Sequence, residues 1–382
     1  MGLSMSFTIH ATAAFGLEAV VKKECEDLGF QNLRIEYGHV IFQGDKRDLV
    51  RANMSLRSAD RVFIEVASFP VTTFEGLFEE IRKLPWKEFL PREASFPVTA
   101  KSISSKLFSL SDIQSISKKA IVTNLKEKYF LDHFPETGPI FPIEVNIRQD
   151  QALVLLDTSG EGLFKRGYRE KKGMAPLKET LAHGLVDLSF WDPSRTLVDP
   201  FCGSATILIE AAMKARRIAP GLNRSFLSMS WDFIGEEVFK DVRRELLGQI
   251  DYATKLEIYG FDNNPRVLDH ARNNALEAGV GEDIILVHED MRKVYLDENF
   301  GVMITNPPYG DRMGEIQEAE ALMHDFRDHF FHLRTWSFYI ISSMKNLEEI
   351  FDRSADRRRK LFNGGLETTY YQFYGPNPNK FL

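Results

Sequence analysis

The chain has 382 residues, of which 43% are apolar, and it carries a formal net charge of −7. This length predicts two or three domains, each able to bury a core. No apolar run is long enough to span a bilayer, and no N-terminal export signal is evident. Cys25 and Cys202 are the only two cysteines, so the sequence holds no disulfide framework. The sequence therefore argues against a membrane or exported protein and predicts a cytoplasmic one.

The first 66 residues predict a small α+β domain. Apolar spacing and turn residues indicate a strand at 6–11, a helix at 16–28, a hairpin around Gly38, a helix capped by Asp45 and a strand at 61–66. Met1 to Met5 do not continue this pattern.

Residues 67–160 predict a second α/β domain. The expected helices cover 74–83 and a stretch capped by Ser111 or Asp112 that ends near Lys128, and the expected strands cover 96–100, 143–147 and 152–157. No catalytic cluster is evident, which favours a recognition role. Residues 81–130 hold ten lysines and arginines against four acids. This excess fits either a face that binds phosphates or an ordinary solvated helix face.

From residue 161 to 382 the pattern changes to alternating strands and helices. Strands are expected at 196–201, 257–262, 284–290, 302–306 and 336–343, and an antiparallel hairpin at 360–374. This alternation predicts a Rossmann-like α/β domain with a mostly parallel sheet covered on both faces.

Three carboxylates follow successive predicted strands, at Asp199, Asp262 and Asp290. In an open parallel sheet the ligand lies beyond the carboxyl ends of the strands. Asp199 could face positive groups, Asp262 could accept from ribose hydroxyls and Asp290 from an adenine amine. The small residues of the turn at 202–204 allow close backbone approach before a helix N-terminus that suits a carboxylate. Together these features predict a site for S-adenosylmethionine, although each acid alone is also common at a strand end.

Asn306-Pro307-Pro308-Tyr309 ends the fourth of these strands. An aromatic amine is a poor nucleophile because its lone pair is delocalised into the ring. An amide oxygen and a backbone carbonyl that accept its two N–H groups would free that lone pair for a methyl group. The prolines would rigidify the loop, and Tyr309 could stack on an extruded base. Taken alone the segment would be a rigid turn, but at this strand end it predicts methylation of a nucleobase amine.

At these motifs the chain resembles the class I S-adenosylmethionine-dependent amino methyltransferases, and over nearly its whole length it resembles the THUMP-domain RNA guanine-N2 methyltransferases, in particular the bacterial 23S ribosomal RNA enzymes of the RlmL type. The segment Ala-Thr-Ala-Ala-Phe-Gly-Leu-Glu, ending at Glu18, resembles the opening of that family's ferredoxin-like domain. Residues 67–160 resemble the THUMP domain, and the stretches 164–169 and 175–182 resemble the passage into the catalytic domain. Ala205 stands where the family pattern usually has glycine, which matters if that position needs a positive φ.

The resemblance implies three domains (1–66 ferredoxin-like, 67–160 THUMP and 161–382 methyltransferase) and a methyl transfer from S-adenosylmethionine to a guanine N2 amine. The implied partner is RNA, namely 23S ribosomal RNA or a large-subunit assembly intermediate, with no membrane. Transfer RNA guanine-N2 and DNA adenine-N6 remain alternative targets because Asn-Pro-Pro-Tyr serves DNA enzymes too. A non-catalytic RNA-binding assembly factor is an alternative of another class. The expected catalytic residues are Asn306, Pro307, Pro308 and Tyr309, and the expected cofactor-binding residues are Pro176, Glu179, Thr180, Asp199, Pro200, Phe201, Cys202, Gly203, Ser204, Asp262, Asn263, Asp290, Met291 and Asn306.

No metal site is expected. His324, His329 and His332 share one predicted helix, but neither a cysteine nor an acid completes a good ligand set. Cys202 is expected to be a small packing residue because amine methylation needs no thiolate.

Overall fold

A computed structural model describes residues 6–130, 134–169, 177–297, 299–309 and 313–377. Its strands form two sheets of seven strands each, one in each half of the chain. Within the described residues no helix is long and apolar enough to cross a membrane.

The first sheet joins strands from both predicted N-terminal domains. Its strands, in chain order, are β1 (Phe7–Ala13), β2 (Gln31–Glu36), β3 (His39–Gly44), β4 (Ala59–Pro70), β5 (Val98–Ile103), β6 (Ile143–Arg148) and β7 (Gln151–Asp157). The spatial order is β2-β3-β1-β4-β7-β6-β5, and only the β5–β6 pair is parallel. Strand β4 runs across residues 66 and 67 and pairs with β1 on one side and β7 on the other, so the two halves share a continuous backbone ladder.

Side-chain caps explain only some of the helix starts in this half. The helices are α1 (Glu18–Asp27), α2 (Lys46–Ser55), α3 (Phe74–Lys83), α4 (Trp86–Phe89) and α5 (Leu110–Tyr129). Asp45 and Asp48 form a reciprocal capping box at the start of α2. The predicted start of α5 was wrong: its N-cap residue is Ser109, which is extended and makes no side-chain cap bond. Asp112 instead lies in the first turn, where its charge favours the helix dipole.

The second sheet has the predicted mostly parallel arrangement. Its strands are β8 (Leu197–Asp199), β9 (Ile258–Asp262), β10 (Ile284–His288), β11 (Val302–Thr305), β12 (Ser337–Ser342), β13 (Arg357–Asn363) and β14 (Leu366–Phe373). The spatial order is β10-β9-β8-β11-β12-β14-β13. The first five strands are mutually parallel, and β14 runs antiparallel to both of its neighbours, β12 and β13. The accompanying helices are α6 (Glu179–Asp187), α7 (Thr206–Ala215), α8 (Glu236–Gly248), α9 (Pro265–Glu277), α10 (Met313–Phe330) and α11 (Leu347–Ile350). The mixed α/β class and the Rossmann-like sheet are confirmed.

Buried polar contacts hold the two halves together. Arg166 pairs with Glu210 at 3.3 Å, and both side chains are almost fully buried. The Arg166 guanidinium also donates to the carbonyl of Arg57 in the N-terminal half. Thr180 donates to the Asp60 carboxylate at 3.2 Å, so the start of α6 is tied to the start of β4 in the N-terminal half. These bonds fix the catalytic sheet relative to the N-terminal half.

Candidate active site

Strand register brings the predicted acidic strand ends to one edge of the second sheet. Asp199 at the end of β8 lies beside Gly260 of β9, and Asp262 at the end of β9 lies beside His288 of β10. Because these strands are parallel, their carboxyl ends open on the same side, and Asn306 follows β11 there.

Asp199 is held beneath this edge rather than in the open cavity. Its side chain is 2% exposed, and its Oδ1 accepts from Thr305 Oγ1 at 2.6 Å and from the Phe201 amide at 3.1 Å. Burial raises the pKa of the Asp199 carboxyl to about 7, and the negative charge of Asp262 adds to this shift against the two hydrogen bonds. Asp199 therefore fixes the turn after β8 and is only partly ionised at neutral pH.

The turn from 202 to 205 has two left-handed residues before α7, one on either side of Ser204. Gly203 has φ of 53°, and its amide donates to Asp262 Oδ2 at 3.1 Å. Ala205 also has a positive φ, 61°, and is fully buried. The conformation for which glycine would be favoured is thus adopted by an alanine. Cys202 packs under the turn, where burial raises the pKa of its thiol far above the ordinary value, so the thiol stays protonated.

Asp262 and Asp290 face the cavity in different hydrogen-bonded states. The Asp262 carboxylate accepts hydrogen bonds from the backbone amides of Gly203 and Asn264, one on each oxygen. Each oxygen keeps a further lone pair that can accept a hydrogen bond from a ligand. Asp290 is held by Arg292 through two bonds of 2.8 and 2.6 Å and a further backbone bond. These hydrogen bonds from Arg292 lower the pKa of Asp290 to about 2. Both side chains can act as acceptors, but that of Asp290 is already shared with a cation.

The Asn-Pro-Pro-Tyr segment forms the opposite wall. The Tyr309 hydroxyl donates to Asn306 Oδ1 at 2.7 Å, and Pro307 is buried while Pro308 is exposed. Phe201 stacks on Phe326 of α10 with ring centroids 6.2 Å apart, which fixes the floor between the two walls. The resulting cavity of about 420 Å³ is lined by Pro200, Phe201, Asp262, Asn263, Asp290, Met291, Arg292, Asn306, Pro307, Pro308, Tyr309 and Leu322.

This cavity gathers ten of the residues predicted for the site. Asp199, Cys202, Gly203 and Ser204 lie in or beneath the adjoining turn and do not line it. Glu179 lines a second, larger cavity, and Thr180 is buried against Asp60. Pro176 lies outside the described residues.

Three contributors to the site were not predicted from the sequence. Thr305 holds Asp199 from the neighbouring strand, Arg292 holds Asp290, and Leu322 of α10 lines the cavity. The contact between Arg292 and Asp290 could have been predicted, because Arg292 lies two residues after an acid that caps a short helix. Thr305 required strand pairing, and the apolar pattern of α10 does not distinguish Leu322 from its neighbours.

One group among the described residues has the spacing of metal ligands, namely Glu24, His183 and Asp187. It lies between α1 and α6, away from the cavity. The Lys214 ammonium lies 2.5 Å from Asp187 Oδ1, so one carboxylate of this group already forms an ion pair with a lysine. His329, on α10, hydrogen-bonds the Val294 carbonyl at 2.7 Å, as a structural histidine does.

Known proteins match this architecture over nearly its whole length. Residues 166–372 match a family described as RMKL-like methyltransferase domain, residues 8–63 the RlmL ferredoxin-like domain, and residues 71–157 the THUMP domain. YpsC of Bacillus subtilis (strain 168), a candidate RNA methyltransferase, is 45% identical over 370 residues, which cover 96% of either chain.

Solved structures agree with this assignment. The crystal structure of SMU.472, a candidate methyltransferase bound to S-adenosylhomocysteine (SAH), is 42% identical with a TM-score of 0.92 and covers 98% of this chain and 100% of its own. A structure from Listeria monocytogenes str. 4b F2365, named as a predicted N6-adenine-specific DNA methylase, is 43% identical with a TM-score of 0.93 and covers 97% of either chain.

The fold and the cavity define a class I methyltransferase that uses S-adenosylmethionine. The chain belongs to the RMKL-like methyltransferase family, preceded by an RlmL ferredoxin-like domain and a THUMP domain. The residues present fit the cofactor: the cavity joins two carboxylates to apolar walls from Phe201, Met291 and Pro307, which suits a nucleoside.

Proposed function

We propose that this protein methylates the exocyclic N2 amine of a guanine in RNA, with 23S ribosomal RNA or a large-subunit assembly intermediate as the substrate. The observation that carries the proposal is the position of Asn306 Oδ1 and Tyr309 on the wall opposite Asp262 and Asp290 of one cavity. The oxygen that would accept from the target amine and the carboxylates that would bind the cofactor nucleoside thus line the same cavity.

In this proposal Asp262 and Asp290 hold the ribose and adenine of the cofactor, and Phe201, Asn263 and Met291 contact it. The turn at 199–204 provides backbone around its methionyl end, with Glu179, Thr180 and Pro176 as further expected contacts. Bound S-adenosylmethionine supplies a methyl group that is electrophilic because it is carried on a sulfonium.

The protein's task is then to expose the lone pair of the target nitrogen. Asn306 Oδ1 accepts one N–H of the amine, and a backbone carbonyl of the Pro307-Pro308 segment accepts the other. Tyr309 stacks on the base, which must leave its own stack at a cost of about a few kcal/mol. No side chain with a tuned pKa is needed as a base, because the methylated amine is acidic and loses its proton to water.

The N-terminal half supports RNA as the substrate. The predicted basic stretch partly forms ion pairs, since Arg82, Lys83 and Lys101 each pair with a glutamate. It also lines a groove of about 790 Å³ that includes Lys87 and Lys128. A THUMP domain with a basic groove suits RNA shape better than major-groove reading of DNA. We accordingly propose the domain division 1–66, 67–160 and 161–382, with β4 as the shared strand.

The names of the two relatives differ on the substrate, since YpsC is named for RNA and the Listeria protein for adenine in DNA. Nucleoside mass spectrometry of ribosomal RNA, transfer RNA and DNA from cells with and without the gene separates these targets. We expect N2-methylguanosine to disappear from 23S ribosomal RNA. Loss of a methylated base from transfer RNA or DNA alone would overturn the proposed substrate.

A further inference from the structure

A second and larger cavity lies where the N-terminal half meets the catalytic domain. It measures about 990 Å³ and is bounded by three segments: residues 159–169 after the first sheet, the start of α6 at Lys178, and residues 223–230 after α7. Lys165, Asn223, Ser225 and Ser230 on its rim are exposed, so this junction cleft opens to solvent. None of the predicted catalytic residues lines it.

Two cations in the junction cleft face neutral partners. Arg224 donates to the carbonyls of Glu161, Gly162 and Lys165 at 2.6 to 3.0 Å, and its guanidinium carbon lies 5.0 Å from the centre of the Phe226 ring. Burial lowers the pKa of Arg224 to about 10, so it remains charged at neutral pH. Carbonyl oxygens satisfy its donors without cancelling its charge.

Lys178 repeats this arrangement on the other side of the cleft. Its ammonium lies 5.0 Å from the centre of the Phe164 ring, and within the described part of the chain no carboxylate pairs with it. The other three cations of the lining are compensated: Lys165 pairs with Glu161, Arg166 with Glu210 and Arg169 with Glu179. Over the described ranges the junction cleft therefore holds two cations without a carboxylate partner, Arg224 and Lys178, and each lies beside an aromatic ring.

A short chain of hydrogen bonds connects the junction cleft to the cofactor cavity. Arg169 lines the cleft, and its guanidinium donates to Thr206 Oγ1 at 2.5 Å. Thr206 follows the turn in which the Gly203 amide donates to Asp262, and Asp262 lines the cofactor cavity. A ligand in the cleft would thus contact a residue, Arg169, that is hydrogen-bonded to the start of α7 after the cofactor turn.

We propose that the junction cleft binds the phosphodiester backbone of a single-stranded RNA segment beside the target guanine, an inference that rests on the proposed function. Positive grooves with exposed aromatic rings are the usual platforms for single strands, because phosphates meet the cations and bases stack on the rings. In this cleft Phe164 is the partly exposed ring, while Phe226 is buried beneath Arg224. The volume and the open rim suit a chain that passes through the cleft. The assignment extends RNA binding from the THUMP domain to the edge of the active site.

The test compares RNA affinity with cofactor affinity in the full-length protein. Lys178→Met removes the charge but keeps the length of the side chain, and Lys178→Arg restores the charge. Phe164→Leu removes one ring. Lys240→Met is the matched control, because Lys240 is exposed on α8 and, among the residues that the structure describes, pairs only with its helix neighbours Glu236 and Glu237. The probe is a short fluorescein-labelled single-stranded RNA, read by anisotropy at two salt concentrations, and calorimetry gives the Kd for S-adenosylmethionine.

We expect Lys178→Met to raise the Kd for RNA about fivefold to tenfold and to reduce the salt slope by about 0.7 to 1, as for the loss of one phosphate contact. Lys178→Arg should restore both values, Phe164→Leu should weaken RNA binding, and the cofactor Kd should stay within about twofold. The control should match wild type.

Two results would overturn the inference. Unchanged RNA affinity in Lys178→Met, while wild-type protein methylates RNA guanine, would reject the cleft and keep the proposed function. Weakened cofactor binding with unchanged RNA binding would show that the cleft holds the carboxylate end of the cofactor. Conversely, reduced RNA affinity in a protein that methylates no guanine would reject the proposed reaction and leave the RNA cleft.

Discussion

The Tyr309 hydroxyl donates a 2.7 Å hydrogen bond to Oδ1 of Asn306, the oxygen expected to accept from the target amine. The bond orients the amide so that its oxygen, rather than its NH₂ group, is presented. It also occupies one of the two lone pairs of that oxygen. The substrate amine must therefore use the second lone pair or displace the phenol.

Replacing Asn306 by alanine should lower turnover by a factor of order 100 or more, because the reacting amine loses an acceptor that matters most in the transition state. The Kd for S-adenosylmethionine should stay near the wild-type value. Methyl incorporation into RNA and calorimetry measure the two quantities. Asn306→Asp keeps acceptor oxygens in place and should retain more activity than Asn306→Ala. Unchanged turnover in the alanine variant would refute the role assigned to Asn306.

The ring and the hydroxyl of Tyr309 can be separated by two substitutions. Tyr309→Phe keeps the stacking surface and removes the competing donor, so turnover should remain within about fivefold of wild type. Tyr309→Ala also removes the stacking surface, worth about 1–3 kcal/mol per base, and should raise the KM for RNA by tenfold or more. Steady-state kinetics with RNA as the varied substrate checks both. Equal losses in the two variants would show that the hydroxyl, not the ring, is what matters.

The sequence predicted the site best where one short segment carries both the strand end and the functional group. Asp262, Met291 and Asn306 all reach the same cavity, since parallel strands bring consecutive strand ends together. Gly38 in its hairpin and the Asp45 cap were likewise local signals that the fold uses.

Features that depend on pairing between distant segments could not be predicted. The Thr305–Asp199 bond joins neighbouring strands 106 positions apart in sequence, and burial then changes the protonation of a carboxylate expected to be charged. The sharing of β4 by both N-terminal domains is set by its pairing with β1 and β7, which a domain division by composition does not reveal. The junction cleft depends on three separated segments and was not predicted.

Asp262→Ala should weaken S-adenosylmethionine binding, because the carboxylate lines the cavity and also holds the Gly203 amide. We expect the Kd to rise tenfold or more, by about the 1.5–3 kcal/mol of a hydrogen bond to a charged group. Calorimetry provides the measurement, and Asp241→Ala, an exposed acid on α8, is the control. An unaltered Kd would mean that the cofactor does not lie against β9.

The raised pKa of Asp199 predicts a pH dependence of stability. The folded-state pKa is about 7, against an ordinary value of 3.8, so between these values the folded protein holds a proton that the unfolded chain has released. Stability should therefore fall as pH rises from about 4 to about 7, by up to roughly 4 kcal/mol, and level off above that. Urea unfolding of the ligand-free protein across this range, compared with Asp199→Asn, checks the sign. The asparagine variant should lose this slope, while the control Asp241→Asn should keep it.

Ala205 tests how far the cofactor turn tolerates a side chain at positive φ. A left-handed alanine costs about 1–2 kcal/mol, while its buried methyl group returns about 0.8 kcal/mol. Ala205→Gly should therefore change the free energy of unfolding by about 1 kcal/mol or less and leave the cofactor Kd within about threefold. Ala205→Val adds a branched side chain at φ of 61° in a fully buried position and should destabilise the protein by more than about 2 kcal/mol. Urea unfolding and calorimetry of both variants provide the comparison. A cofactor Kd that falls tenfold or more in Ala205→Gly would show instead that the alanine methyl group crowds the cofactor.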